Sequence, residues 1–315
     1  MFPSASRVES KGLVNKDLLT IDGVSRDEIL FLIQDAIRMK KRKQYGQELK
    51  GKTLGMIFEK SSTRTRVSFE AAMIQLGGHA MFLSSRDLQL GRGESIEDTA
   101  KVLSKYVDGV MIRTHEHEKI ETFANHASIP VINGLTDTHH PTQALADLMT
   151  IYEYKKTFSG LKLAYVGDGN NMAHSLMEAC VKVGIHISLA CPEGYMPDED
   201  ITAQVQNQAN VNGVHVFVTS DPKEAVQDAD IIVTDVWASM GDENEAEERV
   251  EIFKPYQVNQ ELCKNAKSDY LFMHCLPAHR GEEVTADIID GSHSVVFDEA
   301  ENRLHIHKAI LKGLL

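Results

Sequence analysis

Residues 54–78, LGMIFEKSSTRTRVSFEAAMIQLGG, decide the fold class. Leu54-Gly-Met-Ile-Phe58 is an apolar run of strand length, and the stretch from about Ser62 to Leu76 carries a helical pattern. Gly77-Gly78 closes that helix, because glycine readily takes the left-handed conformation needed after a last turn. Strand, short loop and helix in direct succession make a βα unit, and the same order recurs on either side. Ala80–Leu83, Gly109–Ile112 and Ile129–Ile132 read as further strands with helices between them. Leu161–Val166 opens a second series, continued by Ile185–Ala190, Val214–Val218, Ile231–Thr234 and Tyr270–Met273. Such alternation predicts an α/β protein of two domains, each a parallel sheet flanked by helices.

Helix signals agree with this order. Ser25-Arg-Asp-Glu28 has capping-box spacing, and Leu30, Ile33, Ala36 and Ile37 follow at helical period. Asp221-Pro222 has the N-cap and first-turn signature of a helix. Pro141 to about Phe158 reads as a helix bridging residues 1–150 and 151–299, the two expected domains. A short last helix from about Glu299 is able to pack on either of them.

The chain has 315 residues, 42% hydrophobic and 25% charged, which excludes global disorder and allows two buried cores. Lys and Arg number 33 against 46 Asp and Glu, a formal charge of −13. That balance argues against a nucleic-acid coat or an anionic membrane as partner, since both require a basic face. No apolar run approaches the roughly 20 residues of a bilayer span. The start, MFPSASRVESKG, lacks the apolar segment of a secretory signal. Four cysteines without a C-x-x-C pair suit reduced thiols, so a cytoplasmic location is expected.

Four stretches carry chemistry. Phe58-Glu-Lys-Ser-Ser-Thr-Arg-Thr-Arg66 lies where a strand gives way to a helix, and there free backbone N–H groups and the helix dipole attract an anion. Ser62, Thr63 and Thr65 offer hydroxyls, and Arg64 a planar fork suited to phosphate oxygens. A plain capped helix with exposed arginines is the bland alternative, but it gives no reason for hydroxyls and arginines to alternate so densely. His139-His140-Pro141-Thr142-Gln143 opens the bridging helix, with His140 and Gln143 suited to a carbonyl and an amide unless His140 is simply a satisfied core histidine. Phe272-Met-His-Cys-Leu-Pro277 ends a strand, where ligands gather in open α/β sheets. Cys275 there is either a small buried apolar residue, a nucleophile or a polarisable hydrogen-bond partner. Asp235-Val-Trp-Ala-Ser-Met-Gly241 also follows a strand and offers a carboxylate.

Two other readings are weaker. Gly167-Asp-Gly-Asn-Asn-Met172 begins like a dinucleotide fingerprint, but Met172 stands where its third glycine belongs. His115-x-His117, His305-x-His307 and the histidines from His274 to His279 lack a matching ligand set at zinc spacing, so no metal is expected.

Taken in order, FEKSSTRTRVSFE, HPTQALADL, DVWASMG and FMHCLP resemble the aspartate/ornithine carbamoyltransferase family, with GDGNN and AENRLH in matching places. The resemblance runs over nearly the whole chain. It implies two α/β domains with a cleft between them, the last helix (about residues 300–315) returning to the first. It implies transfer of a carbamoyl group from carbamoyl phosphate to the side-chain amine of L-ornithine, without cofactor, by a homotrimer or a multiple of trimers. Ser62, Thr63, Arg64 and Thr65 match the phosphate loop, and Gln89 the loop that reaches a neighbouring subunit's site. Arg113, His140 and Gln143 match groups around the carbamoyl moiety, joined by Cys275, Leu276 and Arg303. Asn171, Asp235, Ser239 and Met240 match the ornithine contacts. Asp235, Cys275, Arg113 and His140 are the expected catalytic set. Carbamoyl transfer to putrescine or N-acetylornithine is the alternative within the family; Ala278-His279-Arg280-Gly281 after HCLP is of the form that goes with ornithine, though this segment is less uniform than the other motifs. A nicotinamide-dependent dehydrogenase is the alternative outside it.

Overall fold

The computed structural model describes residues 13–42, 45–84, 93–238 and 246–315. These form two compact units, Met1–Met149 with Glu301–Leu315, and Thr150–Ala300.

In the first unit the βα reading places α1 (Arg26–Arg42), β1 (Thr53–Phe58), α2 (Thr63–Gln75), β2 (His79–Ser84), α3 (Ile96–Leu103), β3 (Gly109–Arg113), α4 (His117–His126) and β4 (Val131–Leu135). The strands form one parallel sheet in the order β2-β1-β3-β4. Ser25 and Glu28 form the expected capping box, each side chain accepting from the other's backbone N–H at 3.3 and 2.8 Å. The buried stripe of α1 is Ile29, Leu32, Ile33 and Ala36, one residue out of phase with the expected Leu30 and Ile37. A run of five successive apolar residues offers two stripes, and packing chooses between them. Strand β4 starts at Val131, two residues later than expected, after Pro130, which has no N–H to donate. Ile57, Val110 and Ile112 of the sheet join Ala100, Ile120 and Phe123 of α3 and α4 in one apolar core.

Helix α5 (Pro141–Lys155) carries the chain from one unit into the other, and Lys156 at φ 62° ends it before the expected Phe158. The second unit contains β5 (Lys162–Val166), α6 (Asn171–Val183), β6 (His186–Ala190), α7 (Glu199–Asn212), β7 (Val216–Thr219), α8 (Pro222–Val226), β8 (Ile231–Thr234), α9 (Ala246–Phe253), α10 (Gln260–Cys263), β9 (Leu271–His274) and α11 (Ala286–Ile289). Its sheet is again wholly parallel, in the order β7-β6-β5-β8-β9. Asp221 caps α8 through the N–H of Lys223 at 2.8 Å, with Pro222 in the first turn.

The last helix, α12 (Val296–Leu314), is 19 residues long, not short as expected. Residues 301–315 belong to the first unit, where Lys312 pairs with the buried Asp35 at 2.9 Å and Lys308 donates to Gln75 at 3.1 Å. No helix among the described residues is long and apolar enough to cross a membrane.

Candidate active site

Open parallel sheets collect ligands beyond the carboxyl ends of strands at the point where strand order reverses. That point lies between β1 and β3 in the first unit and between β5 and β8 in the second. The sequence-predicted residues emerge at these two places.

In the first unit, Ser62 leaves β1 and caps α2, its Oγ accepting from the N–H of Thr65 at 3.2 Å. Thr63 is exposed at the helix start. Arg64 is partly buried, and its Nε is buried without a hydrogen-bond partner among the described residues. Thr65 is fully buried and accepts from Arg303 of α12 at 2.7 Å, so α12 is tied to the first turn of α2. Arg113 ends β3 and is buried. Buried His140 stands just before α5. Burial pushes its imidazole well below the ordinary range, and the charges of Arg303, Arg113 and Arg64 push the same way. Three guanidinium groups therefore act on one neutral imidazole, the setting of a site for an anion of more than one charge. Gln143 donates from Nε2 to Asp147 Oδ1 at 2.8 Å, one turn further along α5. Asp147 thus orients the Gln143 amide, a role the sequence reading missed although the four-residue spacing is its signal.

In the second unit, Asp235 follows β8 and is buried. Its Oδ1 accepts from the Val236 N–H at 2.8 Å and from the Cys275 thiol at 3.1 Å, and its Oδ2 accepts from Asn170 Nδ2 at 3.2 Å. Cys275 is half-buried, whereas Cys180, Cys191 and Cys263 are buried. Of the three open readings for Cys275, the hydrogen-bond partner is the one this geometry displays. Asn170 also caps α6, its Oδ1 accepting from the N–H groups of Met172 and Ala173 at 2.9 and 3.4 Å. The family resemblance singles out Asn171, the first residue of α6, and passes over this neighbour that holds the carboxylate. Buried Tyr165 donates to Asn170 at 3.3 Å, and burial, then the charges of Asp235 and Asp168, drives its phenol well up. Leu276 has φ 59°, in the left-handed region, and the Leu276-Pro277 bond is cis. Arg249 donates to Asp168 at 2.8 Å and to the Trp237 carbonyl at 2.9 Å.

Ser62, Thr63, Arg64, Thr65, Arg113, His140, Gln143 and Arg303 thus lie in the first unit; Asn171, Asp235, Cys275 and Leu276 lie in the second. Gln89, Ser239 and Met240 fall outside the described residues. The second glycine of GDGNN has a reason within the chain. A Cβ on Gly169 would come within 2.3 Å of the Pro197 nitrogen, and Gly169 N–H donates to Tyr195 at 2.9 Å. Close approach of the protein's own backbone accounts for that glycine without a dinucleotide. Ligand-type atoms of Asp235, His274 and Cys275 lie within 4.8 Å of one another. Both His274 nitrogens are already engaged, by the Leu276 N–H at 2.9 Å and Glu283 at 3.1 Å.

Two parallel α/β units, each with polar groups at its switch point, define a two-domain α/β protein with charged side chains gathered beyond the carboxyl ends of its strands. Residues 16–153 match the carbamoyl-P binding domain of aspartate/ornithine carbamoyltransferase, and residues 159–314 its Asp/Orn binding domain. The chain belongs to the aspartate/ornithine carbamoyltransferase family. It is 60% identical over 306 residues to an ornithine carbamoyltransferase of Anoxybacillus flavithermus, covering 96% of this chain and 98% of that one. The solved ornithine carbamoyltransferase of Pyrococcus furiosus has a TM-score of 0.91 at 56% identity, over 94% of this chain and 95% of that one. The Thermus thermophilus ornithine carbamoyltransferase has a TM-score of 0.87 at 43% identity, over 96% and 99%.

Proposed function

We propose that the protein transfers the carbamoyl group of carbamoyl phosphate to the side-chain amine of L-ornithine, giving L-citrulline and phosphate. The tie of Arg303 to Thr65 at the start of α2, beside Arg64 and with Arg113 next to Phe58 at the end of β1, carries this reading, and the charges of all three arginines act on His140; the named activity of relatives as similar as 60% supports it. Carbamoyl phosphate is the ligand of the first unit. Its phosphate meets the start of α2, the hydroxyls of Ser62 and Thr63, and Arg64. Its carbonyl oxygen gains negative charge as the amine attacks, and Thr65, Arg113 and His140 donate to it. A neutral imidazole suits that role, because it donates without adding another positive charge.

Ornithine is the ligand of the second unit, through Asn171, Asp235, Ser239 and Met240. Its side-chain amine, with a pKa of roughly 10 like that of lysine, must lose a proton before it attacks. Asp235 and Cys275 orient the amine and ease that loss. The nitrogen then bonds to the carbamoyl carbon, the bond from that carbon to the phosphate oxygen breaks, and phosphate leaves toward Arg64. The amine is itself a competent nucleophile, so no bond between enzyme and carbamoyl group is needed.

The working form is proposed as a homotrimer or a multiple of trimers in the cytoplasm, with Gln89 reaching a neighbouring site. Exposed Val67 and Ile74 on α2 and Met81 on β2 favour a covered face on the first unit. The deciding experiment is a product assay with carbamoyl phosphate and ornithine, aspartate, putrescine and N-acetylornithine in parallel. Citrulline from ornithine is the expected product; faster turnover of any other amine would overturn the substrate assignment.

A further inference from the structure

We propose that His274 is a positioning residue for carbamoyl transfer, acting through a buried Glu283–His274–Leu276 chain of hydrogen bonds that holds the turn carrying Cys275. The inference rests on the reading of Cys275 and Leu276 as groups of the reacting site.

The direction of each bond follows from chemistry. The Leu276 backbone N–H is obligatorily a donor, and it points at His274 Nδ1 at 2.9 Å. Nδ1 therefore carries no proton, and the imidazole proton sits on Nε2. Nε2 lies 3.1 Å from Glu283 Oε1, to which it donates. The same Oε1 accepts from the backbone N–H of His279 at 2.5 Å. Both side chains of the pair are 0% exposed, so bulk water does not reach either group. The His274 backbone is held as well, its N–H donating to buried Glu299 at 2.9 Å.

What this chain secures is an unfavourable backbone. Leu276 has φ 59°, a conformation in which a side chain bearing Cβ crowds the carbonyl and which glycine would adopt more readily. Strained residues persist where their surroundings over-determine them, and they cluster at functional sites. The His274 acceptor is the local group that rewards this conformation. Cys275 lies between the two ends of that bond, and its thiol meets Asp235 at 3.1 Å. Loss of the Nδ1 acceptor lets the turn relax and takes the thiol away from the carboxylate. The buried pair alone could serve packing only; a bond to the strained residue next to Cys275 links it to the chemistry.

The test separates the two ends of the imidazole. His274→Asn keeps an acceptor near the Nδ1 position and gives up the Nε2 donor. His274→Gln reaches Glu283 with a donor and gives up the Nδ1 acceptor. Both leave one buried partner unsatisfied, so a packing role predicts similar losses in each. Under the positioning role, His274→Asn keeps kcat within about threefold of the parent, whereas His274→Gln loses about tenfold or more, the rate equivalent of one buried hydrogen bond. Cys275 is the half-buried thiol among four, so its alkylation rate by iodoacetamide reports the turn independently of turnover. That rate should change in His274→Gln and not in His274→Asn. Equal loss of kcat in both variants, or an unchanged alkylation rate in His274→Gln, would overturn the proposal. Imidazole 15N spectra of the unaltered protein provide a check that needs no variant to fold. The Nε2–H tautomer is expected, and an Nδ1–H tautomer or an imidazolium at neutral pH refutes it. Citrulline formation by the unaltered protein tests the underlying reading separately.

Discussion

Arg64 is the residue at which affinity and stability part company. Its buried Nε has no hydrogen-bond partner among the described residues, and it shares a small region with Arg113 and Arg303 around His140. Removing one of three like charges relieves repulsion, whereas removing a phosphate contact costs about 1.5–3 kcal/mol. Arg64→Ala is therefore expected to bind carbamoyl phosphate some ten- to a hundredfold more weakly while its melting temperature holds or rises. Unchanged affinity in calorimetry would take Arg64 out of the site. His140 and His307 make a second prediction. Burial, then Arg303, holds both imidazoles well below their ordinary range. The unfolded chain takes up protons at these histidines below about pH 6.5, and the folded chain does not. The unfolded state then binds more protons, so stability is full above that pH and declines as pH falls, by up to about 1.4 kcal/mol per unit for each histidine. Urea midpoints at pH 7.5 and 5.5 should show this decline, and His307→Gln should make it shallower. An equally steep decline in that variant would free His307 of the effect. At this scale the sequence displayed the groups proposed to meet ligand. Asn170 and Glu283 stayed hidden, because their work depends on partners that only folding brings within reach, whereas Asp147 has a local signal in its four-residue spacing from Gln143.

Helix starts repeat the division at the scale of elements. Ser25 with Glu28 and Asp221 with Pro222 are local devices, complete within four residues, and they were legible before any fold was known. The buried stripe of α1 and the length of α12 were not, since both depend on what the helix packs against. Asn170 belongs to both kinds. As the N-cap of α6 it is local, and as the donor to Asp235 it reaches across 65 residues. Its two roles separate by mutation. Asn170→Ala loses cap and carboxylate contact together, and should cost about 1 kcal/mol of stability as well as turnover. Asn170→Asp keeps a good cap but sets a second carboxylate against Asp235, so most of the stability should survive while kcat falls at least about tenfold. Denaturation curves run beside steady-state kinetics distinguish these outcomes. Full activity in Asn170→Asp would mean that the contact with Asp235 is incidental.

Across the whole molecule, one asymmetry governs the order of events. The anion groups belong to the first unit and the carboxylate–thiol pair to the second, so neither unit carries the full set the proposed reaction needs. Two substrates that must react with each other then become thermodynamically coupled, and whatever one contributes to the other's affinity is returned in equal measure. Carbamoyl phosphate is the more highly charged partner, and the chain it must approach has a formal charge of −13. Only a concentrated local positive field overcomes that background, and the three arginines around His140 supply it. Because the proposed reaction brings the two substrates together, bound phosphate would neutralise a field that otherwise repels the ornithine ammonium. Carbamoyl phosphate should therefore bind first, and an ornithine analogue lacking the side-chain amine should bind much more tightly in its presence. The analogue separates two causes of that gain. Without its distal amine it feels little of the arginine field, so tightening that persists reports an altered arrangement of the protein, and tightening confined to ornithine reports charge neutralisation alone. Calorimetric titration of the analogue with and without carbamoyl phosphate, and of ornithine with and without an unreactive phosphonate in which CH2 replaces the bridging oxygen of carbamoyl phosphate, measures both. Affinities of analogue and ornithine that are each unchanged by the phosphate partner would leave the substrates uncoupled and the order of binding random.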